Sequence, residues 1–109
     1  MIYVIATINL NPGVRASFLT EFTRLTPLVR AEVGCIEYQA TIDVQSTSPI
    51  QVPVREDAVT VVEKWASLEA LYEHSKAPHM ADYRVRVKDF VKSVQLQILE
   101  LQASLRKEN

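Results

Sequence analysis

The chain has 109 residues, of which 48% are hydrophobic and 23% are charged, and its formal net charge is −1. This length and balance are typical of one folded domain rather than of a disordered segment. The charge excludes the basic excess of nucleic-acid-binding modules and of polybasic proteins that bind membrane surfaces. One cysteine excludes an internal disulfide framework and a multi-cysteine zinc site, and two glycines are too few for a Gly-rich phosphate loop.

The N-terminal residues show no targeting pattern. No basic region precedes the apolar run at residues 2–8, and no small-residue cleavage site follows it. No apolar run approaches the roughly 20 residues that span a bilayer. We therefore expect a cytoplasmic protein without a membrane segment.

A strand is predicted over residues 2–10, because β-branched residues alternate there with a period of two. A helix is expected next, with Asn11 as its N-cap and Pro12 as its first residue. Pro27 should kink this helix, and Gly34 should end it. Its apolar stripe follows helical spacing and consists of Val14, Phe18, Phe22, Leu25 and Val29.

The same alternation predicts three further strands, over residues 35–43, 58–66 and 93–101. Residues 44–57 have no regular pattern and contain two prolines, so we expect a loop there. Residues 1–101 then form one domain, and residues 102–109 a polar tail.

Two short helices are predicted between the last two strands. Ser67 is a good N-cap for a helix over residues 68–76, and Pro78 is a good first residue for a helix that runs to about Val91. The second helix has a stripe of Met80, Tyr83, Val87 and Phe90. The order β-α-β-β-α-α-β predicts an α+β, ferredoxin-like sandwich, with helices on one face of a four-stranded antiparallel sheet.

The second face of this sheet is expected to be apolar. Its predicted members are Tyr3, Ile5, Cys35, Val59, Val61, Trp65, Leu99 and Leu101. Monomers rarely expose an apolar patch of this size, so the face should pack on a second subunit or bind something large. We expect a homodimer in which two open sheet faces close into a barrel.

Three blocks of sequence resemble a known family. They are residues 34–38 (GCIEY), residues 62–74 (VEKWASLEALYEH) and residues 78–83 (PHMADY). Together they resemble the antibiotic biosynthesis monooxygenase (ABM) domain over about residues 1–100. The resemblance implies a dimeric α+β barrel. The pattern is most similar to the small quinol-monooxygenase-like members, which oxidise quinols or polycyclic aromatic phenols with O₂ and without metal or flavin.

The resemblance also implies where the chemistry lies. In the family, the tryptophan at the position of Trp65 lines the substrate cavity. The better-understood cofactor-free members carry an asparagine four residues earlier, where this chain has Val61. Ala6, His74 and Arg84 stand at the positions of the Asn, Trp and His of the haem-degrading branch, which argues against haem degradation.

His74 and Glu63 are the candidate proton-transfer groups, with Trp65 as the third catalytic candidate. Imidazole exchanges protons near neutral pH, and a carboxyl among apolar residues has a raised pKa that suits it to accept a phenolic proton. For His74 the alternative is helix capping or surface packing. For Glu63 it is a salt bridge to Arg84 or Arg86, and for Trp65 it is packing at the dimer seam.

The candidate substrate-binding residues come from several elements, and Arg84 is expected to hold an oxyanion. The full set is Asn9, Tyr72, His79, Tyr83 and Arg84. The two tyrosines also fit helix core positions. Cys35 is interpreted as a small buried hydrophobic residue. We expect neither a metal nor a cofactor.

Two other functions remain open beside a cofactor-independent monooxygenase. Some relatives isomerise or process small hydroxylated carbonyl metabolites, and such ligands should need two cations near the cavity. The chain also fits a non-enzymatic, dimeric module that binds an aromatic ligand in a stress response.

Overall fold

A computed structural model describes residues 1–103 and shows four strands and three helices in the predicted order. The strands form one antiparallel sheet with the order β2-β3-β1-β4, which is the predicted α+β, ferredoxin-like architecture. Residues 104–109 of the predicted tail lie outside the described residues. The bounds are β1 Ile2–Leu10, α1 Arg15–Arg30, β2 Cys35–Thr41, β3 Ala58–Trp65, α2 Leu68–Lys76, α3 Pro78–Val87 and β4 Val91–Leu99.

The core lies between the helices and one face of the sheet. Along β1, even-numbered residues are buried against the helices and odd-numbered residues are partly exposed. The predicted stripe of α1 is confirmed, since Phe18, Phe22, Leu25 and Val29 are all buried. Burying each of these side chains stabilises the fold by about 2 kcal/mol.

The prediction for β3 was wrong about the face that its apolar residues occupy. Ile2 pairs with Trp65 and Val4 pairs with Glu63, and directly opposed residues point to the same face of a sheet. The face that β3 turns to the helices therefore carries Val59, Val61, Glu63 and Trp65, and Cys35 of β2 joins it. The valines at 59, 61 and 62 occur on both faces, so only the register with β1 decides the orientation.

The open sheet face is consequently mixed rather than apolar. It carries Tyr3, Ile5, Thr7, Asn9, Val62 and Lys64, together with Leu99, which pairs with Tyr3 as a member of this face as predicted. The edge strand β4 also exposes a row of apolar side chains, Val94, Leu96 and Ile98, which are 47–59% exposed. These three pair with inward-facing residues of β1, so they lie on the helix side of the sheet.

Helix α1 is shorter than predicted at both ends. Asn11 is not its N-cap, because the Asn11 amide donates to the carbonyl of Asp89 (3.0 Å) and α1 begins only at Arg15. The helix continues past Pro27 and ends at Arg30. Gly34 (φ +85°) ends the turn that follows and leads into β2.

The structure confirms the predicted starts of helices α2 and α3. The Ser67 hydroxyl accepts a hydrogen bond from the third backbone N–H of α2 (3.1 Å), and Pro78 is the first residue of α3. Between the two helices Ala77 is extended (φ −63°, ψ 140°), so the chain bends there. Helix α3 ends at Val87, four residues early, because β4 already pairs with β1 from Val91.

Residues 44–57 form the expected loop, without helix or strand. Its base is closed by a bidentate pair in which the Arg55 guanidinium donates to both Asp43 oxygens (2.8 Å each). These hydrogen bonds hold the pKa of the Asp43 carboxyl well below its usual range. Within residues 1–103, no helix is long and apolar enough to cross a membrane.

Candidate active site

A cavity of about 530 Å³ lies between the helix side of the sheet and helices α2 and α3. Most of its walls are apolar, from Val4, Ala6, Ile8, Phe22, Val61, Leu71, Met80, Val87, Val91, Val94, Leu96 and Ile98. Its polar lining consists of Tyr38, Glu63, Tyr72, His74, Tyr83, Arg84 and Lys88. Because the inner side chains of β4 are half-exposed, the cavity opens along that strand.

Glu63 and Trp65 form a buried pair on β3. Residues two apart on a strand point to the same face, and here the Trp65 indole N–H donates to Glu63 Oε1 at 2.9 Å. Burial raises the pKa of Glu63 to about 7, with a further contribution from the charge of Glu32, while the indole hydrogen bond opposes the rise. Glu63 thus changes protonation near neutral pH inside the cavity, and the expected alternative of a salt bridge to an arginine is wrong.

Trp65 lies behind the cavity rather than in its wall. The ring is fully buried, and its centroid is 4.7 Å from that of His74. It is absent from the side chains that line the cavity. Trp65 therefore touches both candidate proton-transfer groups without facing a ligand, in contrast to the expectation from the family.

His74 lines the cavity from α2, and it is buried rather than a surface or capping residue. Its ring packs between Trp65 and Tyr38, whose centroid is 5.5 Å away. Burial lowers the pKa of His74 below 6.5, while the hydrogen bond to Glu32 opposes the shift. The imidazole is therefore neutral at neutral pH and available as a base.

Glu32 is the site residue that the sequence did not reveal. It lies in the turn after α1, where its Oε2 is 3.0 Å from His74 Nδ1 and 2.6 Å from His79 Nε2. The turn can approach α2 because Gly34 has no side chain, and a Cβ there would stand 2.5 Å from Ala70 Cβ. No motif marks Glu32, since its partners lie more than forty residues away.

Tyr38 is a second lining residue that the sequence placed only as an apolar strand position. Its ring stacks on Phe22 with centroids 5.2 Å apart, and burial raises the pKa of Tyr38 far above its usual value. Tyr83 packs edge-on against Phe18 and Phe22, and burial raises its pKa as well. Both phenols therefore stay neutral and form a rigid back wall.

The remaining predicted residues divide between the cavity and other places. Tyr72 lines the cavity rim and is half-exposed, and Arg84 lines it while donating to the carbonyl of Ser75 (2.9 Å). His79 reaches the site only through Glu32. Asn9 does not, because it lies on the open sheet face and donates to Ser93 Oγ (3.1 Å).

Cys35 is partly buried, and burial raises the pKa of its thiol. The negative charges of Glu32 and Glu63 raise this pKa further. The thiol is therefore protonated at neutral pH and fits the small hydrophobic residue that was expected. In the part of the chain that the structure describes, no group of three or more His, Cys, Asp or Glu side chains is placed to hold a metal ion.

The chain is similar to proteins of one family. The sequence profile described as "Antibiotic biosynthesis monooxygenase" matches residues 1–86. A solved structure of a protein from Pseudomonas aeruginosa has a TM-score of 0.76 and 24% identity, covering 94% of both chains. A candidate antibiotic biosynthesis monooxygenase from Caulobacter crescentus has a TM-score of 0.76 and 25% identity, covering 93% of this chain and 89% of that one.

A conserved protein of unknown function from Bacteroides thetaiotaomicron, described as a possible oxidoreductase, is also similar. It has a TM-score of 0.73 and 25% identity, and the match covers 92% of this chain and 96% of that one. The comparison with curated proteins found no significant match.

Proposed function

Because the chain belongs to the antibiotic biosynthesis monooxygenase family, we propose that it is a cofactor-independent monooxygenase that oxidises a quinol or a polycyclic aromatic phenol with O₂. The observation that supports this most is the largely apolar cavity of about 530 Å³ with one buried carboxyl and one buried imidazole in its lining. This volume lies within the range of small-molecule sites, and the apolar walls suit a flat aromatic ring system.

The reaction needs no external reductant. A phenol and O₂ give a quinone and water, so one oxygen atom enters the ring, the other leaves as water, and the substrate supplies all four electrons. Removing the phenolic proton produces an anion that is electron-rich enough to reduce O₂, and the hydroperoxide formed on the ring then loses water. The protein has to bind the ring, exclude solvent and move protons.

The two buried titratable groups suit these proton transfers because burial shifts their pKa values in opposite directions. His74, with its pKa below 6.5, is neutral and accepts the phenolic proton. Glu63, with its pKa raised to about 7, is protonated over part of the working range and gives a proton to the oxygen that leaves as water. A base and an acid with pKa values displaced in this way are typical of acid–base active sites.

The other residues position the substrate and these two groups. Trp65 fixes the Glu63 carboxyl through its indole N–H and supports the His74 ring, so it is a positioning residue. Arg84, Tyr72 and Tyr83 line the cavity, which supports a role for Arg84 in holding the phenolate oxygen and for the two tyrosines in contacting the ring system. The structure gives no reason to include Asn9 in this set.

Oxygen consumption with a panel of hydroquinones and polycyclic phenols, in metal-free buffer, tests the proposal. We expect turnover by the wild type, loss of it in His74→Ala, and wild-type rates in Glu73→Gln, which changes an exposed carboxylate beside His74. Absence of turnover above the autoxidation blank on every substrate would refute the proposal. Mass spectrometry that recovers a bound aromatic unchanged would instead support a non-enzymatic binding module.

One observation favours the isomerase-type alternative. Arg84 of α3 and Lys88, the C-cap residue of that helix, both line the cavity, whereas Arg86 turns away and donates to Glu21 (3.0 Å). Two cations at the cavity suit a small hydroxylated carbonyl compound with an anionic group. Conversion of such a compound without O₂ consumption would favour this alternative, and Lys88→Gln should then raise its KM.

We also propose a homodimer. The support is the exposed apolar surface of β4, an edge strand whose inner side chains line the cavity mouth. A second subunit over this strand would cover Val94, Leu96 and Ile98. Sedimentation equilibrium should give a dimer for the wild type and a monomer for Leu96→Glu, and a wild-type monomer at high concentration would contradict the proposal.

A further inference from the structure

The carboxylate of Glu32 is shared by two histidines. Its oxygens lie 3.0 and 3.2 Å from His74 Nδ1, and Oε2 lies 2.6 Å from His79 Nε2. An ionised carboxylate only accepts hydrogen bonds, so each histidine donates from the nitrogen that faces it. This fixes both tautomers: His74 carries its proton on Nδ1, and when the ring is neutral its Nε2 holds the free lone pair.

The cluster of His74, Glu32 and His79 connects the cavity with the solvent. The side chains are 7%, 14% and 23% exposed in that order, and His74 lines the cavity while His79 does not. The first histidine therefore meets the substrate, and the second meets water.

Charge balance links the two histidines. One protonated histidine neutralises Glu32, whereas two protonated histidines on one carboxylate repel each other. The other groups facing His74 are Glu63 and Tyr38 from the sheet and Arg84 from α3, and the tyrosine is neutral. His79, the more exposed ring, is linked to His74 through the shared Glu32 carboxylate.

We propose that Glu32 is a positioning residue that orients His74 Nε2 toward the substrate, and that His79 holds the Glu32 carboxylate in place from the solvent side. In the step that this orientation serves, the phenolic O–H bond breaks and an N–H bond forms at His74 Nε2. The positive charge that His74 gains then lies beside Glu32, whose Oε2 is 3.0 Å from His74 Nδ1. The role in catalysis rests on the proposed function, but the tautomer of His74 does not.

Nitrogen-15 NMR of the histidine rings tests the orienting role without any substrate. The chain has only two histidines, so His79→Gln assigns the spectrum directly. At alkaline pH we expect wild-type His74 to carry its proton on Nδ1, Glu32→Gln to shift the population toward the Nε2–H form, and Glu73→Gln to match the wild type. Wild-type His74 in the Nε2–H form would overturn the proposal even if Glu32→Gln failed to fold, and so would an unchanged tautomer in folded Glu32→Gln.

Turnover on an accepted phenol tests what this orientation of His74 contributes to catalysis. We expect Glu32→Gln to lower kcat by about 10- to 100-fold with little change in KM, because the base is misoriented while the cavity is intact. His79→Gln should lower kcat less than Glu32→Gln does, because Glu32 keeps its hydrogen bond to His74. Unchanged kcat in folded Glu32→Gln would refute the role of this orientation in catalysis. Absence of any turnover would refute the proposed function and leave the NMR result to decide the role of Glu32.

Discussion

Replacing Glu63 by glutamine should stabilise the protein, and the gain should grow as the pH rises. The glutamine keeps the size of the side chain and an oxygen that accepts the hydrogen bond from the Trp65 indole. It removes only the ionisation of a carboxyl that is 6% exposed. Because ionising a buried carboxyl costs free energy, the folded wild type resists deprotonation of Glu63 and the variant has nothing to deprotonate.

The magnitude follows from the pKa of Glu63, which is 4.5 for the free group and about 7 in the folded protein. A raised pKa means that the folded state binds the proton more tightly, so this stabilisation is complete below pH 4.5 and is lost as the pH rises to about 7. At about 1.4 kcal/mol per pH unit, the cost to the wild type is roughly 3 kcal/mol near pH 8 and below about 1 kcal/mol near pH 5.

Urea unfolding at about pH 5 and about pH 8, at one fixed protein concentration, measures this difference. Glu63→Gln should exceed the wild type in free energy of unfolding by about 2 to 3 kcal/mol more at the higher pH, and Glu73→Gln should show no such dependence. His74 titrates in the same range but is present in all three proteins. An equal gain at both pH values would refute the reasoning, because it would show that Glu63 ionises normally in the folded state.

Three further results are expected. The pH profile of kcat should be bell-shaped, rising as His74 is deprotonated below pH 6.5 and falling as Glu63 is deprotonated near pH 7. Glu63→Gln should abolish the fall in kcat at alkaline pH. If that fall persists in the variant, Glu63 is not the acid. Gly34→Ala should cost about 2 to 4 kcal/mol by thermal or urea unfolding, because the new Cβ would meet Ala70 at a positive φ, and a loss below 1 kcal/mol would contradict the close approach. Ser67→Ala should cost about 1 kcal/mol in the same assay, with Ser67→Asp close to the wild type, since only the cap of α2 is lost.

Local patterns predicted most of the fold. The alternation in residues 2–10 and the stripe from Phe18 to Val29 depend on neighbours in sequence, and both are present in the structure. The face of β3 was not predictable in this way, because its orientation depends on pairing with β1. Asn11 has the residue type of a helix cap, but its amide is engaged by Asp89, which is far away in sequence.

The site was predictable only in part. Glu63 and His74 stand out by residue type, and the structure brings both to one cavity. Glu32 could not be found, because an acidic residue in a turn looks like an ordinary solvated group until the turn is packed against α2. Asn9 shows the converse. Its polar amide near the end of β1 made it a candidate substrate-binding residue, but it lies on the other side of the sheet.

The bend at Ala77 decides which directions the two histidines take. Residues five apart in an unbroken helix point about 140° away from each other, so His74 and His79 on one continuous helix could not share a carboxylate. The extended Ala77 and the start of a new helix at Pro78 turn the second ring back toward the first. A substitution that let α2 and α3 merge would thus separate the two imidazoles while leaving every residue of the cluster in place.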